Sequence, residues 1–254
     1  MSSIFIYGRP GSGKTTLAAS MTKLGYKVLF IDVDCKVEEM HNLKQPLEQG
    51  LIEIWPVEQK LMESSLKTKM LQPAIALLKQ PKGYLQFCDY ISKLEEIKEC
   101  PWQVLVVDSL TSLVEHEKRL IGHLAKKDKF SFDEWGVLLA NLEELFYTLL
   151  SLRKLFEHVI VIAHEMIEKD EDTGRIVSIL PAIEGSMRNK ISKYFTEVYR
   201  LEVKESKTGV SYLAHTKPLN KAEARTSRQL EAISEADFSV MYKEAKSGEA
   251  KTKP

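Results

Sequence analysis

The stretch IFIYGRPGSGKTT, residues 4–16, decides the fold of this 254-residue chain. Its first four residues are apolar and favour a strand, and the rest matches the spacing G-x-x-x-x-G-K-[ST] before a helical pattern begins. Glycines at these positions let successive backbone N–H groups turn towards a phosphate, and the amino end of the following helix adds a partial positive charge. The flanking strand and helix disfavour a chance glycine-rich turn, so the stretch predicts a phosphate-binding loop for a nucleoside triphosphate.

Two side chains of this loop have specific expected roles. The ammonium of Lys14 is expected to bridge the β- and γ-phosphates, and the hydroxyl of Thr15 is expected to ligate Mg²⁺. The residues expected to surround the nucleotide are Gly8, Arg9, Pro10, Gly11, Ser12, Gly13, Lys14, Thr15 and Thr16.

A second apolar stretch, VLVVDS at residues 104–109, runs into a carboxylate. Its four apolar residues indicate a central strand, and open α/β sheets bind their ligands at the carboxyl ends of such strands. Asp108 is therefore expected to hold Mg²⁺ through water, as a Walker B residue does. The alternative is that Asp108 caps the helix that follows.

Two further strands end in polar side chains at the same edge. The strand FIDVD ends in Asp34, and hydrolysis requires a carboxylate that orients or deprotonates the attacking water. The strand VIAHE carries His164 near its end, where the ring could sense the γ-phosphate; the alternative is a hydrogen-bonded core histidine. The predicted catalytic residues are Lys14, Asp34, Asp108 and His164, and the predicted metal ligands are Thr15 and Asp108.

The hydrophobic periodicity of the whole chain predicts an α/β fold. Predicted strands lie at 4–7, 27–33, 103–107 and 159–163, and predicted helices at 14–23, 58–78, 84–98 and from 131 onwards. This alternation indicates a mainly parallel sheet flanked by helices. Ser131 and Glu134 form a predicted capping box at the start of the last helix. Short alternating segments at 175–180, 197–204 and 210–215 predict C-terminal antiparallel β-hairpins.

Composition excludes several classes of protein. Basic and acidic residues number 36 each, so the net charge of 0 argues against binding nucleic acid by bulk charge. No apolar run reaches the roughly 20 residues that span a membrane, and no signal-peptide pattern begins the chain. Three scattered cysteines predict neither disulfides nor a zinc site, which fits a cytoplasmic protein. One domain is expected over residues 1–242, followed by a disordered polar tail at 243–254.

Five stretches of the chain carry a resemblance when they are taken together. They are GRPGSGKTT (8–16), FIDVD (30–34), VLVVDSLTS (104–112), VIAHE (161–165) and the segment from PAIEG (181–185) to FTEVYRL (195–201). This set resembles the phage RecA-like ATPases, often described as AAA-type ATP-binding proteins, over roughly residues 3–242. The resemblance implies a RecA-like P-loop fold and ATP with Mg²⁺ as ligands, and the lack of an N-K-x-D guanine motif agrees with ATP. Asp34 stands where RecA-type proteins have a catalytic glutamate, and it is one methylene shorter.

The resemblance also implies partners. Some members of this group anneal single strands in phage recombination, so slow, DNA-stimulated hydrolysis in the host cytoplasm is expected. Single-stranded DNA, further copies of the chain in a ring or filament, and a single-strand DNA-binding protein are the implied partners.

RecA-like proteins bind single strands through two loops, which are expected here at 122–132 and 165–193. Basic side chains with an aromatic ring between them suit phosphates and stacked bases. The expected nucleic-acid contacts are Lys126, Lys127, Lys129, Phe130, Arg188, Lys190 and Lys193. Lys217 and Arg225 are the cations expected to complete the nucleotide site of a neighbouring subunit. For all of these residues the alternative is solvated surface charge.

Three other functions stay open at this point. A small-molecule kinase could use the same loop, although the chain has no Arg-rich lid segment that would exclude water. A binding module could use ATP as a conformational clamp with negligible turnover, since Asp34 is short. The chain could instead load or regulate another phage protein, with only indirect contact with DNA.

Overall fold

The computed structural model describes residues 1–57, 81–127, 129–207 and 209–243. The strands are β1 (Ser2–Gly8), β2 (Val28–Asp32), β3 (Ile52–Pro56), β4 (Val104–Asp108), β5 (His158–Lys169), β6 (Ile176–Pro181), β7 (Glu197–Ser206), β8 (Gly209–His215) and β9 (Ile233–Glu235). The helices are α1 (Lys14–Ala19), α2 (Lys44–Glu48), α3 (Gly83–Glu96), α4 (Leu110–Ala125) and α5 (Phe132–Ser151). Short 3₁₀ turns occupy Ser20–Leu24, His41–Leu43, Leu152–Lys154, Gly185–Asn189 and Ile191–Tyr194. The predicted helix at 58–78 and the predicted tail beyond residue 243 lie outside the described residues.

Among the described residues, six neighbouring strands run parallel in the order β3-β2-β4-β5-β1-β7. Their carboxyl ends therefore meet at one edge of the sheet, where a ligand site is expected. β8 and β9 continue the sheet beyond β7 with antiparallel pairing, and β6 pairs antiparallel with the outer part of β5. The predicted fold class, a mainly parallel sheet with C-terminal antiparallel strands, is confirmed.

Three elements differ from their predicted bounds. β5 does not end at residue 163 but continues to Lys169, because its outer part leaves the parallel sheet and pairs with β6. β7 forms the predicted antiparallel hairpin with β8, but it also pairs in parallel with β1 and so belongs to the parallel sheet. The predicted first helix narrows to a 3₁₀ turn after Ala19 and ends at Gly25, whose φ of 88° is in the left-handed region that favours glycine.

Helices cover both faces of the sheet, which explains why its central strands are apolar throughout. On one face α3, α4 and α5 bury Phe87, Leu113 and Phe146 against the strands. On the other face Leu17 of α1 packs with Phe238 from the C-terminal part of the chain. The predicted capping box at the start of α5 is present. No helix in the described part of the chain has the length and apolar character needed to cross a membrane.

Candidate functional site

The glycines of the phosphate-binding loop fix its path between β1 and α1. Gly11 and Gly13 have φ angles of 76° and 86°, a left-handed backbone that glycine adopts without steric cost. Gly8 packs so closely against β7 that an added Cβ would lie 2.6 Å from the carbonyl oxygen of Leu201. Side chains at these three positions would therefore disturb the loop.

Lys14 is a nearly buried cation at the start of α1. It is 6% exposed, and its ammonium donates to the carbonyl oxygens of Gly8 (3.0 Å) and Arg9 (2.8 Å). An ammonium group carries three protons, so these two bonds leave one for a phosphate oxygen. Burial lowers the pKa of Lys14, and the negative charge of Asp108 opposes this shift.

A short hydrogen bond joins the two predicted metal ligands. The hydroxyl of Thr15 donates to Oδ2 of Asp108 at 2.6 Å and so connects the start of α1 to the end of β4. Burial raises the pKa of Asp108 to about 6; the Thr15 bond opposes the rise, and the charges of Asp34 and Asp32 add to it. Mg²⁺ prefers hydroxyl, carboxylate and phosphate oxygens, often with only one or two carboxylates. The chemistry of this donor set therefore fits the expected metal.

Asp34 lies beside this pair, just after the end of β2. The hydroxyl of Ser109 donates to the two carboxylate oxygens of Asp34 at 3.4 and 3.5 Å, which are long contacts. Ser109 also accepts a hydrogen bond from the backbone N–H of Ser112, so Ser109 is the N-cap of α4. The alternative role of Asp108 as the helix cap is therefore wrong.

His164 ends the inner part of β5 and lines the cleft. Its backbone N–H donates to the hydroxyl of Thr111 at 2.9 Å, while its ring Nδ1 is buried and has no hydrogen-bond partner among the described residues. Burial lowers the pKa of His164, and the positive charge of Lys14 adds to this effect. The ring is partly exposed and lines the cleft, which favours a ligand-facing histidine over a core histidine.

These residues line a cleft of about 920 Å³, large enough for a nucleotide. The cleft is also lined by residues that the sequence patterns did not single out: Asp32, Asn42, Tyr212 and Asp237. The ring of Tyr212 covers Gly13, with Cδ1 lying 3.1 Å from where a Cβ would stand. Asn42 donates to the hydroxyl of Thr16 at 3.0 Å. No local pattern reveals these contacts, since each joins segments far apart in the chain.

The first predicted nucleic-acid loop, 122–132, is too long. The helix α4 continues to Ala125 and α5 begins at Phe132, because the capping box starts that helix. The connection therefore begins at Lys126, whose φ of 53° ends α4 in a left-handed conformation. Lys126 and Lys129 are exposed in this shorter connection.

The other two predicted contacts of this loop are held by α5. The ammonium of Lys127 donates to Oε1 of Glu134 at 2.6 Å. The ring of Phe130 packs edge-on against Trp135, with ring centroids 5.2 Å apart. These two side chains are thus tied to the protein's own surface.

The second predicted loop, 165–193, is wrong as a loop. The segment contains the outer part of β5, all of β6 and two 3₁₀ turns. β5 continues from residue 165 to Lys169, and β6 returns beside it as an antiparallel hairpin. Most of the backbone here is consequently hydrogen-bonded within the hairpin and the turns.

The three cations predicted in this segment have different surroundings. Arg188 pairs with Glu168 on β5, at 3.2 Å from Nη1 to Oε1. The ammonium of Lys193 lies 4.6 Å from the ring centroid of Tyr194. Lys190 is exposed.

The two cations predicted to act on a neighbouring subunit lie after β8. Lys217 is exposed immediately beyond the end of the strand. The guanidinium of Arg225 donates to the carbonyl oxygen of Phe195, and its backbone pairs with Val198. Arg225 is therefore engaged within its own chain, while Lys217 extends from the surface.

Comparison with known protein families gives one match, to the family described as AAA domain, over residues 2–228. No curated protein matches the chain significantly. Among solved structures, the flagellar accessory protein FlaH from Methanocaldococcus jannaschii is similar at 16% identity and a TM-score of 0.44, with 92% of this chain and 88% of FlaH covered. The KaiC-like protein PH0186 from Pyrococcus horikoshii OT3 is similar at 14% identity and a TM-score of 0.40, with 89% and 82% covered.

Proposed function

The chain belongs to the AAA domain family, and from this premise we propose that it binds ATP with Mg²⁺ in the cleft and hydrolyses it. It is a RecA-like P-loop ATPase domain, since the family match covers residues 2–228 and the phosphate loop follows the first strand of a parallel sheet. The observation that carries the proposal is the 2.6 Å hydrogen bond between Thr15 and Asp108, which brings both predicted metal ligands together beside Lys14.

Each of the predicted catalytic and metal-binding side chains has a role in the proposed reaction. Lys14 binds phosphate oxygens through its remaining N–H, and Thr15 and Asp108 hold the metal. Bound Mg²⁺ supplies positive charge that offsets the charge of the phosphate oxygens. Asp34 orients the attacking water and accepts its proton. His164 presents its imidazole ring to the terminal phosphate and so distinguishes ATP from ADP.

A phosphate-release assay tests this proposal. The expected result is release of phosphate from ATP that requires Mg²⁺ and stops when EDTA removes it. GTP in place of ATP tests the choice of base, which the resemblance alone supports. Failure of the pure protein to bind either nucleotide in the presence of Mg²⁺ would contradict the proposal.

We further propose that single-stranded DNA stimulates this ATPase in phage recombination or strand annealing. The likeness to phage RecA-like ATPases and the exposed side chains of Lys126, Lys129 and Lys190 support this role. The same likeness supports assembly into a ring or filament, with Lys217 of one copy contributing to the nucleotide site of the next. ATPase activity titrated with single-stranded DNA, with particle size followed by light scattering, tests both points. Turnover and size that do not respond to DNA would contradict this role.

A second candidate is an ATP-clamped binding module with negligible turnover. The long contacts of Asp34, at 3.4 and 3.5 Å, favour it, because a weakly held short carboxylate is a poor catalytic base. In that case annealing proceeds equally well with a non-hydrolysable ATP analogue, whereas the ATPase proposal predicts that the analogue arrests strand release. A small-molecule kinase would instead transfer the phosphate to a nucleoside or metabolite without any effect of DNA.

A further inference from the structure

A buried carboxylate next to the cleft joins two guanidinium groups from different elements. Glu165 follows His164 on β5, and its side chain is 1% exposed. Its Oε1 accepts a hydrogen bond from Nε of Arg9 at 3.2 Å, and its Oε2 accepts one from Nε of Arg200 at 2.9 Å. The Arg200 side chain is 6% exposed, and its buried charge is compensated by this carboxylate and by Glu202 at 3.8 Å.

The strand order explains why this ion-pair chain matters for the phosphate loop. β1 lies between β5 and β7, and its last residue, Gly8, pairs with His164 on one side and Leu201 on the other. Glu165 on β5 and Arg200 on β7 therefore flank the point where β1 turns into the loop. Glu165 contacts the loop directly, through Arg9.

Arg9 is the hydrogen-bonding centre of the loop. Its carbonyl oxygen accepts from the ammonium of Lys14 at 2.8 Å and from the backbone N–H of Ser12 at 3.1 Å. Its side chain is 68% exposed, so without Glu165 little else in the described residues would fix it. Holding the Arg9 side chain therefore also holds the carbonyl group that orients Lys14.

We propose that Glu165 is a positioning residue of this ATPase, which acts through Arg9 to set the phosphate loop and the ammonium of Lys14. The inference rests on the proposed function, because it assigns a role in ATP binding and hydrolysis. Glu165 and its neighbour His164 therefore have different roles. The histidine lines the cleft, whereas the glutamate contacts Arg9 of the phosphate loop.

The test is a double-mutant cycle measured as kcat and KM for ATP. Glu165→Gln removes the charge and one of the two acceptors, and Arg9→Gln removes the guanidinium. Each single variant is expected to lower kcat/KM by about tenfold, mainly through KM, and the double variant is expected to be no worse than either. Arg9→Lys, which keeps a cation, is expected to recover part of the loss.

Glu197→Gln is the matched control. Glu197 is also buried and also lies on a central strand, but it is at the start of β7 and bonds Tyr199 and Ser227 away from the cleft. It is expected to lower the melting temperature as Glu165→Gln does while leaving kcat and KM unchanged. This control separates positioning from a general loss of stability.

Three results would overturn the inference. One is unchanged kcat/KM in Glu165→Gln, and another is additive losses in the double variant. If Glu165→Gln does not fold, Arg9→Gln at the exposed end of the pair is the test instead. Unchanged kcat/KM in Arg9→Gln is then the third result that would overturn the inference. Wild-type protein that does not bind or hydrolyse ATP at all contradicts the proposed function instead, so the two failures are distinguishable.

Discussion

The cleft and the surface beyond β5 place their charged side chains in opposite ways. In the cleft, residues from α1, β4 and the end of β2 contact one another, as in the Thr15–Asp108 bond. Beyond β5, Arg188 pairs with Glu168, whereas Lys190 is exposed. The ends of adjacent parallel strands are held a few ångströms apart by the sheet, whereas a hairpin and a helix connection have no such common edge. On that surface a cation either pairs with a nearby carboxylate, as Arg188 does, or is exposed, as Lys190 is.

The largest expected effect comes from removing the cation of the cleft. Lys14→Ala is expected to lower kcat/KM for ATP by at least about 1,000-fold, since it removes a buried charge that is proposed to contact the terminal phosphate. Nucleotide binding by fluorescence and turnover by phosphate release measure the change. A melting temperature within a few degrees of wild type shows that the fold is intact. Normal ATP binding and hydrolysis by this variant would show that the cleft is not the nucleotide site, and the contrast between the cleft and the surface beyond β5 would then have no functional meaning.

The next largest effect is a loss of turnover that leaves ATP binding nearly unchanged. Asp34→Asn is expected to lower kcat by about 100-fold, because the amide cannot accept a proton from water. The affinity for ATP is expected to stay within a few-fold of wild type. Single-turnover hydrolysis and equilibrium binding measure the two quantities separately. Equal kcat in the variant and the wild type would show that Asp34 is not the base and would favour another water-positioning group.

These two variants concern residues that the sequence places well, and the reason is physical. The loop motif specifies its own backbone path through glycines, and an apolar strand that ends in Asp108 delivers the carboxylate to the same edge. Ser131 likewise starts α5 because a capping box is a local structure. Such features depend on few residues that are close in the chain, so the pattern is sufficient.

The features that the sequence did not predict depend on distant pairings. The parallel pairing of β7 with β1 and the antiparallel pairing of β6 with β5 decide where residues 165–206 lie. The alternating pattern predicts strands at 175–180 and 197–204, but no spacing within this segment predicts that they pair with β5 and β1. Tyr212 reaches the phosphate loop for the same reason, since its contact with Gly13 exists only once β8 is in the sheet.

A smaller effect is the pH dependence of stability that Asp108 in the cleft is expected to cause. Burial raises the pKa of Asp108 to about 6. The folded-state pKa is above the unfolded value, so the stability contributed by the neutral carboxyl group is present at low pH and is lost as the pH rises through about 6. Asp108→Asn is therefore expected to stabilise the nucleotide-free protein at pH 8 by on the order of 2 kcal/mol, and much less at pH 4. Urea denaturation at both pH values measures the difference.

The same pKa predicts the opposite trend for ligand binding. A metal ligand must be ionised, so Mg²⁺-dependent ATP affinity is expected to fall as the pH drops below about 6. Asp108→Asn is expected to bind ATP weakly at every pH. Stability and binding that change in the same direction in this variant would contradict the assignment of Asp108 as a buried metal ligand.

The smallest expected effects lie on the surface beyond the cleft. Lys126→Gln and Lys129→Gln are each expected to weaken binding to single-stranded DNA by about threefold. Each is also expected to lower the slope of log K against log [salt] by less than one, because less than one counterion fewer is released. Arg188→Gln is expected to change the affinity by less than about twofold, because Glu168 already neutralises this cation. Fluorescence anisotropy at several salt concentrations measures all three. A larger effect of Arg188→Gln would show that DNA displaces the ion pair.

The most direct test of the central claim is a crystal structure with Mg²⁺ and a non-hydrolysable ATP analogue. The β- and γ-phosphates are expected within hydrogen-bonding distance of the Lys14 ammonium, with the metal bound by Thr15 and lying on the side of Asp108. A loop between Gly8 and Lys14 that holds no phosphate at saturating analogue, or an analogue bound elsewhere on the chain, would contradict the account.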